Sequence, residues 1–146
     1  MSKVVSLEEV KKIWPKNAPD INFVPKYVSK YENELIVIKY GGNVLIDRNV
    51  FDNFIEDIFI LNKLGLSVVV VHGGGPRIEK ELKQEKIQTK FLNGLRVTDE
   101  KVIKIVEKVL INFNNDIVNS LNKKGSKAVS INSKINFGKG HGPINH

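Results

Sequence analysis

Ile36-Val37-Ile38-Lys39-Tyr40-Gly41-Gly42-Asn43, followed about thirty residues on by Val68-Val69-Val70-Val71-His72-Gly73-Gly74-Gly75-Pro76, decides the reading of this chain. Each is an apolar β-run that empties into glycines, and the first sets a lysine at the strand end. On neighbouring parallel strands, two such turns open at the same edge of a sheet, where α/β proteins bind ligands. Glycines let bare backbone N–H groups approach an anion, and a lysine there adds a point charge suited to phosphate. The pair predicts phosphate or carboxylate chemistry.

Strand and helix alternate outward from this pair. A strand is predicted over 35–39. Asp47 can cap a helix whose inner face is Val50, Phe54, Ile58 and Leu61, stopped by Gly65 in the left-handed conformation. The run over 67–71 is apolar on both faces, the mark of a central strand in a parallel sheet. Pro76 suits a first helical turn, so the glycines at 73–75 lead straight into a helix reaching about residue 86. Asn93-Gly94 between apolar-flanked arms over 88–97 signals a hairpin. Thr98 or Asp99 caps the longest helix, with Val102, Ile105, Val106, Val109, Phe113, Ile117 and Leu121 on one stripe and Gly125 at its end. A third parallel strand is predicted over 127–131.

This order predicts an α/β fold, a three-layer αβα sandwich around an open, mainly parallel sheet. Neither an internal repeat nor a linker interrupts 34–131. Beyond Ile131 no apolar period follows, and nothing there would cover the last strand, so the fold reads as incomplete. Residues 1–33 are polar and broken by Pro15, Pro19 and Pro25, with apolar residues too sparse for a core element. They read as a partly helical N-terminal extension, distinct from the lobe at 34–146. Within it Phe23, Tyr27 and Tyr31 fall on one face of a short helix that could dock on another surface.

The bulk properties narrow the classes. A chain of 146 residues is one ordinary domain or a piece of something larger. With 41% hydrophobic and 27% charged residues it is globular. No apolar run reaches the ~20 residues needed to span a bilayer. The start lacks a signal core, and its acids argue against a transit peptide. Absence of cysteine excludes disulfides, thiolate zinc sites and cysteine nucleophiles, and fits a cytoplasmic protein. The formal charge of +7 comes from lysines that mostly alternate with acids, as in Glu79-Lys80-Glu81-Leu82-Lys83-Gln84-Glu85-Lys86, a solvated helix pattern. With three arginines and no basic stripe interleaved with aromatics, neither nucleic acid nor membrane is expected as a partner. His141 and His146 lie in a glycine-rich tail and are too few for a metal site.

Each motif has a plain and a functional reading. Lys39 is either a lysine snorkelling at a turn or a charge aimed at a ligand; the glycine pair behind it favours the second, since a plain turn needs one residue with φ > 0. In His72-Gly73-Gly74-Gly75-Pro76, three glycines before a proline-started helix aim N–H groups and the positive helix end at one point, where a tight connection needs one glycine. It is not a dinucleotide fingerprint, because Ile78 occupies the third small position, and no GxxxxGK[S/T] run exists. Arg96 offers a planar fork matched to a carboxylate, or makes a surface ion pair. His72 reads as a turn histidine bonded to backbone rather than a base.

Taken together, K-Y-G-G, V-H-G-G-G and N-G-L-R-V-T, in this order and spacing, resemble the acetylglutamate kinases of the amino acid kinase family over about 35–131. Each motif alone is modest; the ordered triple is specific. The resemblance implies that Lys39 stabilises the phosphoryl group in flight, while Gly41, Gly42 and Gly73 bind nucleotide phosphates. It implies that Gly74 and Gly75 hold the acyl amino acid through backbone N–H groups and that Arg96 grips its α-carboxylate. The implied reaction is ATP, with Mg2+, plus N-acetyl-L-glutamate giving the γ-acyl phosphate, the second step of arginine biosynthesis. Phosphoryl transfer needs positioning and charge neutralisation rather than a protein nucleophile, so the residue types agree.

Family chains are about twice this length, their second half supplying the nucleotide lobe. The K-Y-G-G-N form and the N-terminal segment look like the subgroup that forms hexamers and responds to arginine, so a homo-oligomer, dimer or hexamer, is implied for the complete enzyme. After Ala128-Val129 the chain departs from the family's glycine-rich continuation and reads Asn132-Ser133-Lys134-Ile135-Asn136. Two other readings stand beside this one: a non-catalytic relative that binds an acidic metabolite or serves as an interaction module, and an amino acid kinase acting on another acidic substrate, such as aminoadipate on a carrier protein.

Overall fold

The computed structural model describes residues 7–41, 47–93, 95–96 and 99–132. Helix α1 (Leu7–Lys11), a 3-10 turn (Ile21–Phe23) and α2 (Val24–Tyr31) precede β1 (Leu35–Tyr40). Then come α3 (Arg48–Lys63), β2 (Ser67–His72), α4 (Gly75–Gln84), the short strands β3 (Phe91–Leu92) and β4 (Leu95–Arg96), and the long α5 (Glu100–Lys123). The fold is α/β with an open parallel sheet. β1 and β2 pair in parallel from Leu35 opposite Ser67 to Tyr40 opposite His72.

The helices end where their sequence says. Asp47 accepts from the N–H groups of Asn49 and Val50 at the start of α3, and Asp99 accepts from Val102 N–H at the start of α5. Gly65 and Gly125, at φ +85° and +98°, turn the chain after α3 and α5. Asn93 at φ +50° turns the antiparallel hairpin that pairs Phe91 with Arg96 and Leu92 with Leu95. Gly94 and Thr98 lie outside the described residues, as does the tail from 133.

Alternation along the strands sorts the sheet into two faces. Ile38, Tyr40, Val68 and Val70 face α3 and α5 and join Phe51, Ile55, Ile58, Phe59, Phe113, Ile117 and Leu121 in the main core. A second cluster, Ile78 and Leu82 against Val102 and Val109, fastens α4 to α5. The opposite face is bare among the described residues, with Leu35 64% and Val37 62% exposed. The described residues thus build two layers of the expected sandwich.

Three expectations need correction. The buried side of α3 is centred on Phe51, Ile55, Ile58 and Phe59, while Val50, Phe54 and Leu61 are only partly covered. Two neighbours, sheet and α5, share this helix, so its apolar arc is wider than one stripe. The 1–33 segment does enter the core: Val10 is 1% exposed, and Ile13 packs on the main cluster. One helical turn suffices to aim a single valine inward. The strand over 127–131 does not form; a cleft of about 290 Å³ lies between this stretch and β2, lined by Val68, Val70, Ile117 and Ile131. An apolar run becomes a strand only through ladder bonds, and here the Asn122 carboxamide takes both backbone groups of Ala128, at 2.8 Å and 3.1 Å.

Candidate active site

Parallel pairing puts the C-terminal ends of β1 and β2 side by side, so both glycine turns leave from one edge. Gly73 N–H donates to Tyr40 C=O at 3.0 Å, which extends the pairing one residue into the turn. Lys39 sits opposite Val71 on the bare face, exposed, with no ion-pair partner among the described residues. Its stem lies along the first turn: a methyl group added at Gly41 would stand 3.9 Å from Lys39 Cε. Gly42 lies outside the described residues.

The second turn is accounted for group by group. Gly73 gives its N–H to Tyr40, and its carbonyl lies 3.0 Å from His72 Nδ1. Gly74 C=O accepts from Ile78 N–H at 2.8 Å, the first bond of α4. The N–H groups of Gly74 and Gly75 have no partner among the described residues. Gly75 begins α4, where no intrahelical carbonyl is available and the dipole favours an anion. Pro76 follows in the first turn and has no N–H to satisfy.

On the side of the edge covered by helix, the contacts join residues far apart in the chain. Arg77 lies over the Phe113 ring with its guanidinium carbon 3.9 Å from the centroid and donates through Nη1 to Asp116 Oδ2 at 2.9 Å. The His72 ring meets the edge of Phe113 at 4.9 Å, and Asn114 Nδ2 lies 3.2 Å from His72 Nε2. Tyr40 stacks on Phe54 with centroids 3.9 Å apart. Burial pushes its phenol above the usual range, opposed by the charge of Arg77 and assisted by that of Asp47. Arg77, two residues after the last glycine, could have been singled out. Asn114 and Asp116 carried no local signal, lying 42 and 39 residues from their partners.

The backbone of Arg96 sits on β4 opposite Phe91; its side chain is outside the described part. His72 is the last residue of β2 rather than part of the turn, and its ring makes the backbone contact expected of it, to the Gly73 carbonyl. The edge therefore carries the N–H groups of buried Gly74 and exposed Gly75 and the exposed ammonium of Lys39, a donor set for an anion. No three or more histidine, aspartate and glutamate side chains among the described residues cluster so as to hold a metal ion. No helix among them is long and apolar enough to cross a membrane.

Residues 34–139 match the amino acid kinase family. The chain belongs to that family. The chain is 50% identical over 129 residues to acetylglutamate kinase of Pelagibacter ubique, covering 88% of this chain and 45% of the relative. It is 48% identical over 109 residues to that of Petrotoga mobilis, covering 74% and 36%. The chain thus spans less than half the length of the curated relatives it matches. Among solved structures, N-acetylglutamate synthase from Neisseria gonorrhoeae, complexed with coenzyme A and N-acetyl-glutamate, aligns at TM-score 0.60 and 19% identity over 71% of this chain and 24% of that one. A Streptococcus mutans protein aligns at 0.57 and 29% identity, over 69% and 41%. These likenesses extend the open parallel sheet to proteins of the same architecture.

Proposed function

We propose that this chain is the acyl-amino-acid-binding lobe of an acetylglutamate kinase, residues 34–146, preceded by an extension at 1–33. The observation that carries the reading is the pair of donors at Gly74 and Gly75 on the edge that Lys39 also reaches. In this reading the two N–H groups hold N-acetyl-L-glutamate and Arg96 grips its α-carboxylate. The γ-carboxylate oxygen attacks the terminal phosphorus of ATP, a new O–P bond forms, the bond to the bridging oxygen breaks, and ADP leaves. Lys39 offsets the charge on the phosphoryl group in transit. Gly41 and Gly42 line the phosphate side with them. Gly73, its N–H committed to Tyr40, contributes space there rather than a donor. Mg2+ would come with the nucleotide and offset the charge of its phosphates. The setting is cytoplasmic, the complete enzyme is a homo-oligomer, and neither nucleic acid nor membrane takes part.

The direct test is calorimetric titration of N-acetyl-L-glutamate into the 146-residue chain, with amide spectra recorded in parallel. Saturable binding with shifts at Gly74 and Gly75 is expected, and a flat titration sinks the reading. In a chimera with the C-terminal half of the Pelagibacter ubique relative, Lys39→Ala should cut kcat by ~100-fold with little change in KM. Arg96→Lys should instead raise the KM for N-acetyl-L-glutamate roughly 10- to 100-fold, because charge stays while the fork is lost. Interchanged effects would reverse the two assignments.

A further inference from the structure

The turn after β2 is tied to α5 through the two nitrogens of one ring. Gly73 C=O can only accept, so a bond at 3.0 Å requires the proton on His72 Nδ1. In the neutral ring Nε2 is then a lone-pair acceptor, and Asn114 Nδ2, 3.2 Å away, donates to it. For a neutral imidazole no other assignment satisfies both contacts. With Nε2 protonated instead, the Nδ1 lone pair would face a carbonyl oxygen.

This tautomer has a geometric consequence one residue further on. The peptide joining Gly73 to Gly74 is planar and trans, so its C=O and N–H point in opposite directions. Holding the carbonyl toward His72 turns the Gly74 N–H away from that ring. Helix α5 supports the turn in two more places: Leu110 lies so close that a Cβ on Gly74 would come within 2.6 Å of its Cδ2, and Phe113 receives the His72 edge. Leu110, Phe113 and Asn114 stand at i, i+3 and i+4, one face of α5.

Asn114 serves stability poorly. Its Oδ1 is buried with no hydrogen-bond partner among the described residues, a penalty an apolar side chain of similar size would avoid. The bond to His72 is what this asparagine provides.

We propose that Asn114 is a positioning residue. Through Nδ2 it holds His72 in the Nδ1–H tautomer, which orients the Gly73–Gly74 peptide so that the Gly74 N–H donates at the open sheet edge. That an acyl amino acid receives this N–H rests on the function proposed above; the orientation itself does not.

Long-range ¹⁵N–¹H spectra of the labelled 146-residue chain, recorded where the ring is neutral, read the tautomer. Wild-type His72 should favour Nδ1–H by about tenfold. Asn114→Leu should return the ring to the Nε2–H form that free histidine prefers and move the Gly74 amide resonance, with helix content unchanged by circular dichroism. In that background His72→Asn, whose carboxamide nitrogen can take the place of Nδ1 without a second partner, should restore the Gly74 resonance. A wild-type ring in the Nε2–H form overturns the proposal whether or not Asn114→Leu folds. So does a folded Asn114→Leu chain whose Gly74 amide has not moved. Failure of the wild type to bind N-acetyl-L-glutamate would overturn the substrate reading, while the ring and amide signals alone judge the positioning role.

Discussion

A methyl group added at Gly74 would come 2.6 Å from Leu110 Cδ2 and 3.3 Å from Ile78 Cδ1, whereas one added at Gly75 would meet nothing within 4 Å. Adjacent glycines thus lack side chains for different reasons, one for helix packing and one for open approach. Gly74→Ala should lower unfolding free energy by about 1–3 kcal/mol as Leu110 is displaced. Gly75→Ala should stay within ~0.5 kcal/mol of wild type in urea yet lose N-acetyl-L-glutamate binding. Equal stability losses at both positions would contradict this division. Tyr40 gives the pH counterpart. Its phenol holds its proton to higher pH in the folded chain than in the unfolded chain, so the unfolded state binds fewer protons as pH climbs past the ordinary phenol range. Stability should therefore fall above pH ~10, until the folded phenol also ionises. Tyr40→Phe should make urea midpoints flatter across that window and remove a late phase from the phenolate absorbance.

At the scale of elements, α5 organises the molecule. Its Asp99 cap starts it, Phe113 and Ile117 reach the sheet core, Val102 and Val109 take α4, and Lys124 just beyond its end pairs with Glu56 of α3. The Lys108–Glu81 bond adds a second tie to α4 and raises the lysine's pKa through that hydrogen bond and the nearby charge. After α5 the chain is held by Asn122 rather than by a strand partner. Asn122→Ala should remove the hydrogen-exchange protection of the Ala128 amide while leaving amides in the middle of α5 as slow as before. Unchanged protection at Ala128 would mean that the apolar contacts along the cleft hold this stretch.

Among the described residues the parallel sheet has one covered and one bare face, and neighbouring residues of β1 report which is which. Val37→Thr should change stability by less than ~0.5 kcal/mol. Ile38→Thr, which sets a hydroxyl against the core, should cost about 1–3 kcal/mol. Similar costs in urea would show the outer face to be covered in solution. Among the described residues the donors at the sheet edge lie on one side of the proposed transfer. The 146-residue chain by itself is therefore expected to bind N-acetyl-L-glutamate without turning over ATP, because a phosphoryl group in flight needs stabilising on both sides. Turnover by the purified chain, with host kinase excluded, would contradict this.

Much of this was legible in the residues themselves, because it depends on local chemistry. Asp47, Gly65, Asn93, Asp99 and Gly125 act on backbone within a few positions of themselves, and the strand–glycine runs declare a shared edge once parallel pairing is assumed. Local pattern could not place Val10 in the core or choose Phe51 and Ile55 over Val50 and Leu61 as the covered side of α3, since neighbours decide burial. Nor could it show that Asn122 would satisfy Ala128 in place of a strand. The partners of His72 and Arg77 on α5 were invisible for the same reason. They depend on how the long helix lies across the sheet edge. Local chemistry was enough for β1, β2, α3, α4 and α5, for their ends and for the residue types at the edge, but not for the stretch over 127–131. Which glycine N–H groups remain to donate was settled in three dimensions, because the Gly73 N–H is taken by the Tyr40 carbonyl, 33 residues earlier, once the two strands pair.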